Sequence, residues 1–207
     1  MRLERMLLFI DRLSMRVGHA FAWCILVLTF GVTYEVFVRY VLRNPTTWAF
    51  DISYTMYGAL FMMAGAYALS QDAHVRGDVV YRLWPPRVQA GIELTLYFLF
   101  FMPGVLALVY AGYDYASESV GWREASINSP AGVPVYPLKV VLPLAAFFLL
   151  LQGIAEAIRC VQCLRTGQWP KRLSDVEEMD KLIREKKAEA EARAAAEQAG
   201  KAQGETQ

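Results

Sequence analysis

Four long apolar runs dominate the hydrophobic pattern of the chain, and charged or aromatic side chains mark their ends. The clearest run lies between Asp51 and Asp72, where twenty consecutive residues carry no formal charge. A helix of about 20 residues crosses a hydrocarbon core of about 30 Å. Lipid offers no partners to the backbone, so each spanning segment must satisfy its own hydrogen bonds as a helix. The pattern predicts four spans, at about 17–42, 48–70, 88–113 and 134–161.

The segment before the first span is amphipathic at helical spacing. Its apolar positions form one face and its arginines Arg5, Arg12 and Arg16 form another. This pattern predicts an N-terminal amphipathic interfacial helix over 1–16, lying on the cytoplasmic leaflet. The alternative is the basic start of a signal peptide. It is disfavoured because the next apolar run is too long and lacks an Ala-x-Ala cleavage pattern.

Beyond the membrane domain at 17–163, the composition changes to a charged tail at 164–207. The sequence Ser174-Asp175-Val176-Glu177 has the spacing of a capping box, and acidic and basic residues then recur four apart. We predict a cytoplasmic charged helix at about 174–197, followed by disorder. The fold class expected from the whole pattern is an all-α integral membrane protein with four transmembrane helices between these two terminal helices.

The distribution of Lys and Arg predicts the orientation. Eleven of these residues lie in the N-terminal segment, the middle loop and the start of the tail, against four at the other two loops. By the positive-inside rule, we expect both termini of this multi-pass membrane protein to lie in the cytoplasm.

The composition and the motifs do not suggest an enzyme. Hydrophobic residues make up 56% of the 207 residues, too many for an ordinary soluble domain. Cys160-x-x-Cys163 has no second pair and no nearby His, so we interpret it as small residues at a helix end. There is no phosphate-binding glycine loop and no nucleophile with a base. We therefore expect no cofactor, no metal and no nucleic-acid partner.

Polar residues concentrate at the rims of the spans. Glu35 and Arg39 lie four apart on one helix face, which favours an intrahelical ion pair and also permits contact with a second subunit. We interpret Glu156 with Arg159 as marking the rim of the fourth span. A kink is expected at Pro103-Gly104 in the third span.

The polar positions around spans 1 and 2 resemble a known family. Arg39-Tyr40-Val41, Asn44, Trp48, Asp51 and His74-Val75-Arg76-x-Asp78 are similar to the small permease subunit of tripartite ATP-independent periplasmic (TRAP) transporters. The resemblance continues through Ser126-x-x-Ser129-Pro130, Tyr136-Pro137-Leu138-Lys139 and Leu149-Leu150-Leu151-Gln152-Gly153, and so covers roughly 15–161. One departure is Phe50-Asp51, a single acid where many members carry two.

The resemblance implies a function and partners. Such a subunit is a non-catalytic scaffold for a large multi-span permease of a sodium-coupled secondary transporter. A periplasmic substrate-binding protein delivers an organic anion, typically a carboxylate. We also expect contact with membrane lipid. The candidate partner interface consists of Glu35, Arg39, Asn44, Trp48, Asp51, His74, Arg76 and Asp78.

Two other functions stay open at this point. A small tetraspan transporter or channel acting as an oligomer is the alternative, and a membrane enzyme is a third. The uncharged centres of the spans argue against a self-sufficient ion-coupled pump, because intramembrane ionisable residues usually mark ion and substrate paths.

Overall fold

The chain folds into α-helices joined by short loops. The computed structural model describes residues 2–71, 83–128 and 130–170, and positions 172, 173, 179, 182, 183, 185 and 186 of the tail. The helices are α1 (Arg2–Ala22), α2 (Cys24–Tyr40), α3 (Ala49–Ser70), α4 (Pro86–Leu96), α5 (Met102–Trp122) and α6 (Tyr136–Thr166). A π-helical turn, Tyr97–Phe101, joins α4 to α5. No β-strand occurs among the described residues beyond one isolated bridge, Ala125 to Pro134.

Four stretches of helix are long and apolar enough to cross a membrane. They are Leu3–Tyr40, Ala49–Ser70, Pro86–Trp122 and Tyr136–Thr166. The predicted class of an all-α integral membrane protein is confirmed. At 1.5 Å per residue the first and third stretches measure roughly 55 Å, so they exceed a hydrocarbon core of about 30 Å.

The first stretch does not divide at the boundary expected near residue 16. Helix α1 continues to Ala22, and the interruption is confined to Trp23, whose φ of −63° and ψ of −21° are themselves helical. Charge marks the end of the apolar run at Arg16, but nothing in the backbone chemistry breaks the helix there. Placement of the N-terminal segment in the membrane interface stays a prediction.

The helices that contain the third and fourth predicted spans continue beyond those spans. Helix α5 runs through the polar positions Asp114 and Glu118 to Trp122, because these side chains are exposed and need no apolar surroundings. Helix α6 runs to Thr166 and ends at Gly167, whose φ of 77° suits a residue without a Cβ.

The expected irregularity at Pro103 takes the form of a π-turn. Proline has no N–H and clashes with the carbonyl four residues earlier, which disfavours a regular α-helical turn before it. The Met102 N–H donates to the Tyr97 carbonyl, five residues back, one turn before Pro103. The extra residue in this turn moves Phe101 towards α6, where it lies against Gly153.

The membrane helices lie in a row with the order α2, α3, α6, α5. Helix α3 packs between α2 and α6, and α6 packs between α3 and α5. Within the described parts of the chain, no extensive packing joins α2 to α6 or to α5. The two central helices run parallel, because Gly58 lies beside Leu138 and Gly65 beside Leu149. An open row of this kind leaves two broad faces uncovered.

A second group of helices packs at the end of the row where α3 stops. Helices α1 and α4 both pack on the last turns of α6. The small buried residues Ala90, Cys160 and Cys163 form the core of this end, with Trp169 packed against them. Here α6 extends past the level of Ser70 at the end of α3, and α1 and α4 cover the extension.

The tail from residue 171 is a separate unit. Most of the helix predicted at 174–197, and all of the expected disorder after it, lies outside the described residues. The described positions at 179, 182, 183, 185 and 186 are helical.

Candidate functional site: the polar rims

The outer rim, the end at which α3 and α6 begin, contains an ion pair between Glu35 and Arg39. Arg39 donates to Glu35 Oε1 from Nε at 2.9 Å and from Nη2 at 2.6 Å. Thr46, in the turn to α3, donates its N–H to Glu35 Oε2 at 3.2 Å and also donates its hydroxyl. The intrahelical pair predicted from the four-residue spacing is present, and Glu35 also fastens the loop that follows α2.

The remaining outer positions on this side are exposed. Asn44 follows Arg43, a left-handed residue with φ of 55°, and its N–H donates to the Val38 carbonyl at 3.2 Å. The Trp48 ring stacks on Tyr34 of α2, with ring centroids 6.1 Å apart. The Tyr34 and Trp48 side chains and half of the Arg39 side chain remain open to a partner.

Asp51 lies inside the molecule and not on its surface. Only 3% of the residue is exposed, and the Ser126 hydroxyl donates to Asp51 Oδ1 at 2.6 Å. Ser126 belongs to the loop before α6, so this bond links the start of α3 to that loop. Asp51 and Trp48 therefore do not form one exposed surface.

The loop that contains Ser126 is a short hairpin held together by backbone hydrogen bonds. The Ser126 N–H donates to the Val133 carbonyl at 2.8 Å, and the Val135 N–H donates to the Glu124 carbonyl at 3.0 Å. The Glu124 carboxylate accepts hydrogen bonds from Lys139 at 2.5 Å and from Ser119 at 2.7 Å. These bonds, that of Lys139 first, hold the pKa of Glu124 below its ordinary value.

The predicted positions in the middle loop cannot be placed. His74, Arg76 and Asp78 lie outside the described residues. Their assignment to a partner interface stays a prediction.

A buried polar cluster at the opposite, inner end was not anticipated. Arg159 of α6 donates to Asp11 of α1 and to Glu156, each at 2.5 Å, and all three residues are at most 1% exposed. Gln152 donates to Asp11 Oδ1 at 2.9 Å and accepts from the Ser14 hydroxyl at 3.0 Å. Glu156 and Arg159 are buried, and Arg159 contacts α1; their position at the rim of the membrane stays a prediction.

Only part of this cluster could be predicted from residue spacing in the sequence. Glu156 and Arg159 lie three apart, so their pairing on one face is visible in the sequence. Asp11 is separated from Arg159 by most of the chain, and its position on the amphipathic helix looked like one of several polar positions. The signal available in the sequence was the helical spacing of α1, which puts Leu7, Asp11, Ser14 and Gly18 on one face. In the structure all four are buried.

The described residues contain no group of three or more His, Cys, Asp or Glu side chains placed to hold a metal ion. Cys160 and Cys163 are buried thiols, the first against Glu93 at 3.6 Å and the second against the Pro86 carbonyl at 3.5 Å. They are packing residues at the junction of α4 and α6.

The open row of apolar helices, with polar contacts concentrated at its two ends, defines a multi-pass α-helical membrane subunit. Residues 28–163 match a family model described as Tripartite ATP-independent periplasmic transporters, DctQ component. The match covers more than half of the sequence, and the chain belongs to this family of small TRAP-transporter permease subunits. A comparison with curated protein sequences finds no match.

The family assignment confirms the resemblance stated from the sequence and fixes the coarse function. The chain is a multi-pass inner-membrane component of a tripartite transporter. The family consists of transporter components and is not a family of enzymes.

Proposed function

We propose that this chain is the non-catalytic scaffold of a sodium-coupled transporter that imports an organic anion. In this proposal a large permease subunit, and not this chain, carries the anion. A periplasmic binding protein delivers the anion, which we expect to be a carboxylate. Both termini of the chain face the cytoplasm. The family assignment supports the tripartite composition, and the positive-inside pattern supports the orientation.

The open row of helices is the observation that carries the scaffold role. Of the 18 most apolar consecutive residues in the first stretch, 6% are buried inside the molecule, and in the third stretch the share is 11%. A monomer that worked alone would be expected to surround its own path with helices. A row instead presents broad apolar faces, and a large membrane subunit is a suitable partner for one of them.

The polar groups of the described spans also support this role. Glu35 is bonded to Arg39 and Thr46, Asp51 to Ser126, and Asp11 to Arg159. Each of these carboxylates serves the packing of the chain. Intramembrane ionisable groups often mark ion and substrate paths, whereas the hydrogen bonds of these three carboxylates hold helices and loops in place.

We place the contact with the large permease at the outer rim of α2 and α3. Arg39, Tyr34 and Trp48 present a cation beside two stacked aromatic rings, the residue types that most often dominate protein interfaces. Glu35 and Asp51 support this surface from within, because they fix the loop before α3 and the hairpin before α6. We propose that Asn44 belongs to this outer contact, and that His74, Arg76 and Asp78 of the middle loop form a second contact with the permease at the opposite, cytoplasmic end of α3.

Co-purification with the large permease, measured together with uptake in proteoliposomes, tests the proposal. Trp48→Ala combined with Arg39→Ala is expected to weaken the complex by about 2 kcal/mol or more, roughly thirtyfold in affinity. Uptake should fall in parallel with complex yield. Trp122→Ala is the matched control. This tryptophan also lies at the outer end of the molecule, but on α5, at the opposite edge of the row, and it is 81% exposed.

Two results would contradict the scaffold role. An intact complex that no longer transports would place these residues in the transport chemistry. Equal losses for the Trp48 variant and the Trp122 control would mean that the α2–α3 rim has no special part in assembly.

A further inference from the structure

Helix α1 has a basic face that points away from the rest of the protein. Its exposed arginines, Arg5, Arg12 and Arg16, lie seven and then four residues apart, which puts them on one side of the helix. We refer to these three residues as the arginine stripe. The opposite side is buried against α3 and α6 and consists of Leu7, Asp11, Ser14 and Gly18.

The arginine stripe has no counter-charge in the described structure. Asp11, which lies between the arginines in sequence, points inward and is neutralised by Arg159 at 2.5 Å. No ion pair joins Arg5, Arg12 or Arg16 to a carboxylate within the described residues. The buried pair thus removes the acid that would otherwise balance this face, and three guanidinium groups remain available to an external anion.

Apolar side chains are exposed along the same length of α1. Leu3 is 42% exposed, Met6 44% and Phe9 64%. If this segment stood in water, these side chains would lose the stabilisation that burial gives. A helix with exposed basic and apolar strips is typical of segments that lie in the boundary between headgroups and acyl chains.

The position of the stripe along the chain agrees with that boundary. Eighteen residues without formal charge separate Arg16 from Glu35. They span roughly 27 Å as a helix, close to the thickness of the hydrocarbon core. Arg16 therefore lies where the core ends and the phosphate layer begins, and Arg12 follows one turn further.

We propose that the arginine stripe binds the phosphate groups of anionic phospholipids and so seats α1 in the headgroup layer. Guanidinium groups bind phosphate oxygens through paired hydrogen bonds. The flanking apolar side chains select a lipid over an acidic protein segment, since only a lipid supplies hydrocarbon beside the phosphate. This site is independent of the contact with the large permease, and the proposed topology decides only which leaflet supplies the lipid.

Competitive lipid binding to the full-length chain tests this site. The purified protein in detergent is titrated with phosphatidylglycerol against phosphatidylcholine, and the bound lipids are counted by native mass spectrometry. The wild-type chain is expected to prefer phosphatidylglycerol. Each arginine near a membrane surface contributes about 1 kcal/mol, so Arg12→Gln with Arg16→Gln should weaken that preference by roughly thirtyfold.

Arg43→Gln with Arg123→Gln is the matched control, because it removes two exposed arginines from the outer end. This variant should keep the wild-type preference, and circular dichroism should show equal helix content in all three proteins. Equal losses in both variants, or no loss in the α1 variant, would overturn the proposal. Inorganic phosphate at millimolar concentration should not displace phosphatidylglycerol; displacement would identify a site for free phosphate instead.

The charged tail of this chain, which contains glutamates as well as basic residues, is the competing occupant. A full-length variant with Glu177→Gln, Glu178→Gln, Glu185→Gln and Glu189→Gln keeps the length of the tail and removes four charges. Unchanged lipid preference supports the lipid as the occupant. A gain of tenfold or more, about 1.4 kcal/mol, would show that the tail covers the stripe and would overturn the proposal.

Discussion

Arg159 is the residue on which the inner end of the molecule depends most. It is fully buried and contacts two buried carboxylates, one on its own helix and one on α1. Removing one member of a buried ion cluster leaves its partners charged and desolvated, which typically costs 3–5 kcal/mol. Replacing all members by neutral groups of similar shape costs much less.

We therefore expect Arg159→Met to lower the free energy of unfolding by about 3–5 kcal/mol, measured by denaturant titration in detergent. The triple variant Arg159→Met, Asp11→Asn and Glu156→Gln should recover at least half of this loss, since it leaves no uncompensated charge. If the triple variant is no more stable than the single one, the loss comes from packing around the guanidinium and not from charge.

At this scale the sequence predicted the contacts that lie close along a helix and missed those made across the fold. The Glu35–Arg39 pair follows from a four-residue spacing and is present as expected. The Asp51–Ser126 and Asp11–Arg159 contacts depend on which helices become neighbours, and no spacing rule supplies that. Trp48 and Asp51 lie three apart in the sequence, yet Trp48 precedes the first residue of α3 and is partly exposed, whereas Asp51 is buried.

At the scale of the helices, the contact between α6 and the π-turn shows how one glycine, Gly153, permits close packing. A Cβ built on Gly153 would lie 2.1 Å from Phe101 Cε1, far inside van der Waals contact. The π-turn brings the Phe101 ring to this position, and the missing side chain on α6 receives it. Neither feature is stable in this form without the other.

We expect Gly153→Ala to destabilise the protein by about 1–3 kcal/mol, because the aromatic ring must move out of its site. The measurement is again unfolding in detergent. Gly31→Ala is the control: nothing lies within 4 Å of its added Cβ, so stability should be unchanged or rise slightly.

The double variant Gly153→Ala with Phe101→Leu separates overpacking from other causes. A smaller side chain in the π-turn should restore part of the lost stability. If the double variant is less stable than Gly153→Ala alone, the contact with Phe101 is not the source of the strain.

The sequence indicated where the elements are irregular but not the form of the irregularity. Pro103 identified the correct turn of the third span, since a residue without an N–H removes a helical hydrogen bond there. Whether the chain responds with a kink or with an inserted residue depends on what the neighbouring helix can accept, and here that is Gly153. Helices α5 and α6 continue past the predicted spans for a related reason: polar residues end an apolar run without ending a helix.

For the molecule as a whole, orientation is the prediction that matters first. Reporter fusions at Asn44 and Ser126 should read periplasmic, and those at Gly77 and Gly167 should read cytoplasmic, because Lys and Arg favour the second pair of loops. A cytoplasmic reading at Ser126 would be incompatible with four spans and with both termini in the cytoplasm.

The apolar pattern predicted the number of spans and the fold class, whereas the arrangement in a row had no signal in the sequence. Small residues such as Gly58, Ala59 and Ala66 mark α3 as a helix with close neighbours, and it is one of the two central helices. Exposed apolar residues on α2 and α5 look the same in sequence whether lipid or another subunit covers them.

The row also limits how cooperatively this chain can unfold. In a closed bundle every helix touches a shared core, so the loss of one contact lowers the stability of all the helices. Here α2 and α5 each depend mainly on one neighbour, and the system approaches the one-dimensional behaviour of repeat proteins, in which nearest-neighbour terms add. Order is expected to be lost from the two edges inward, with the α3–α6 pair the last to separate.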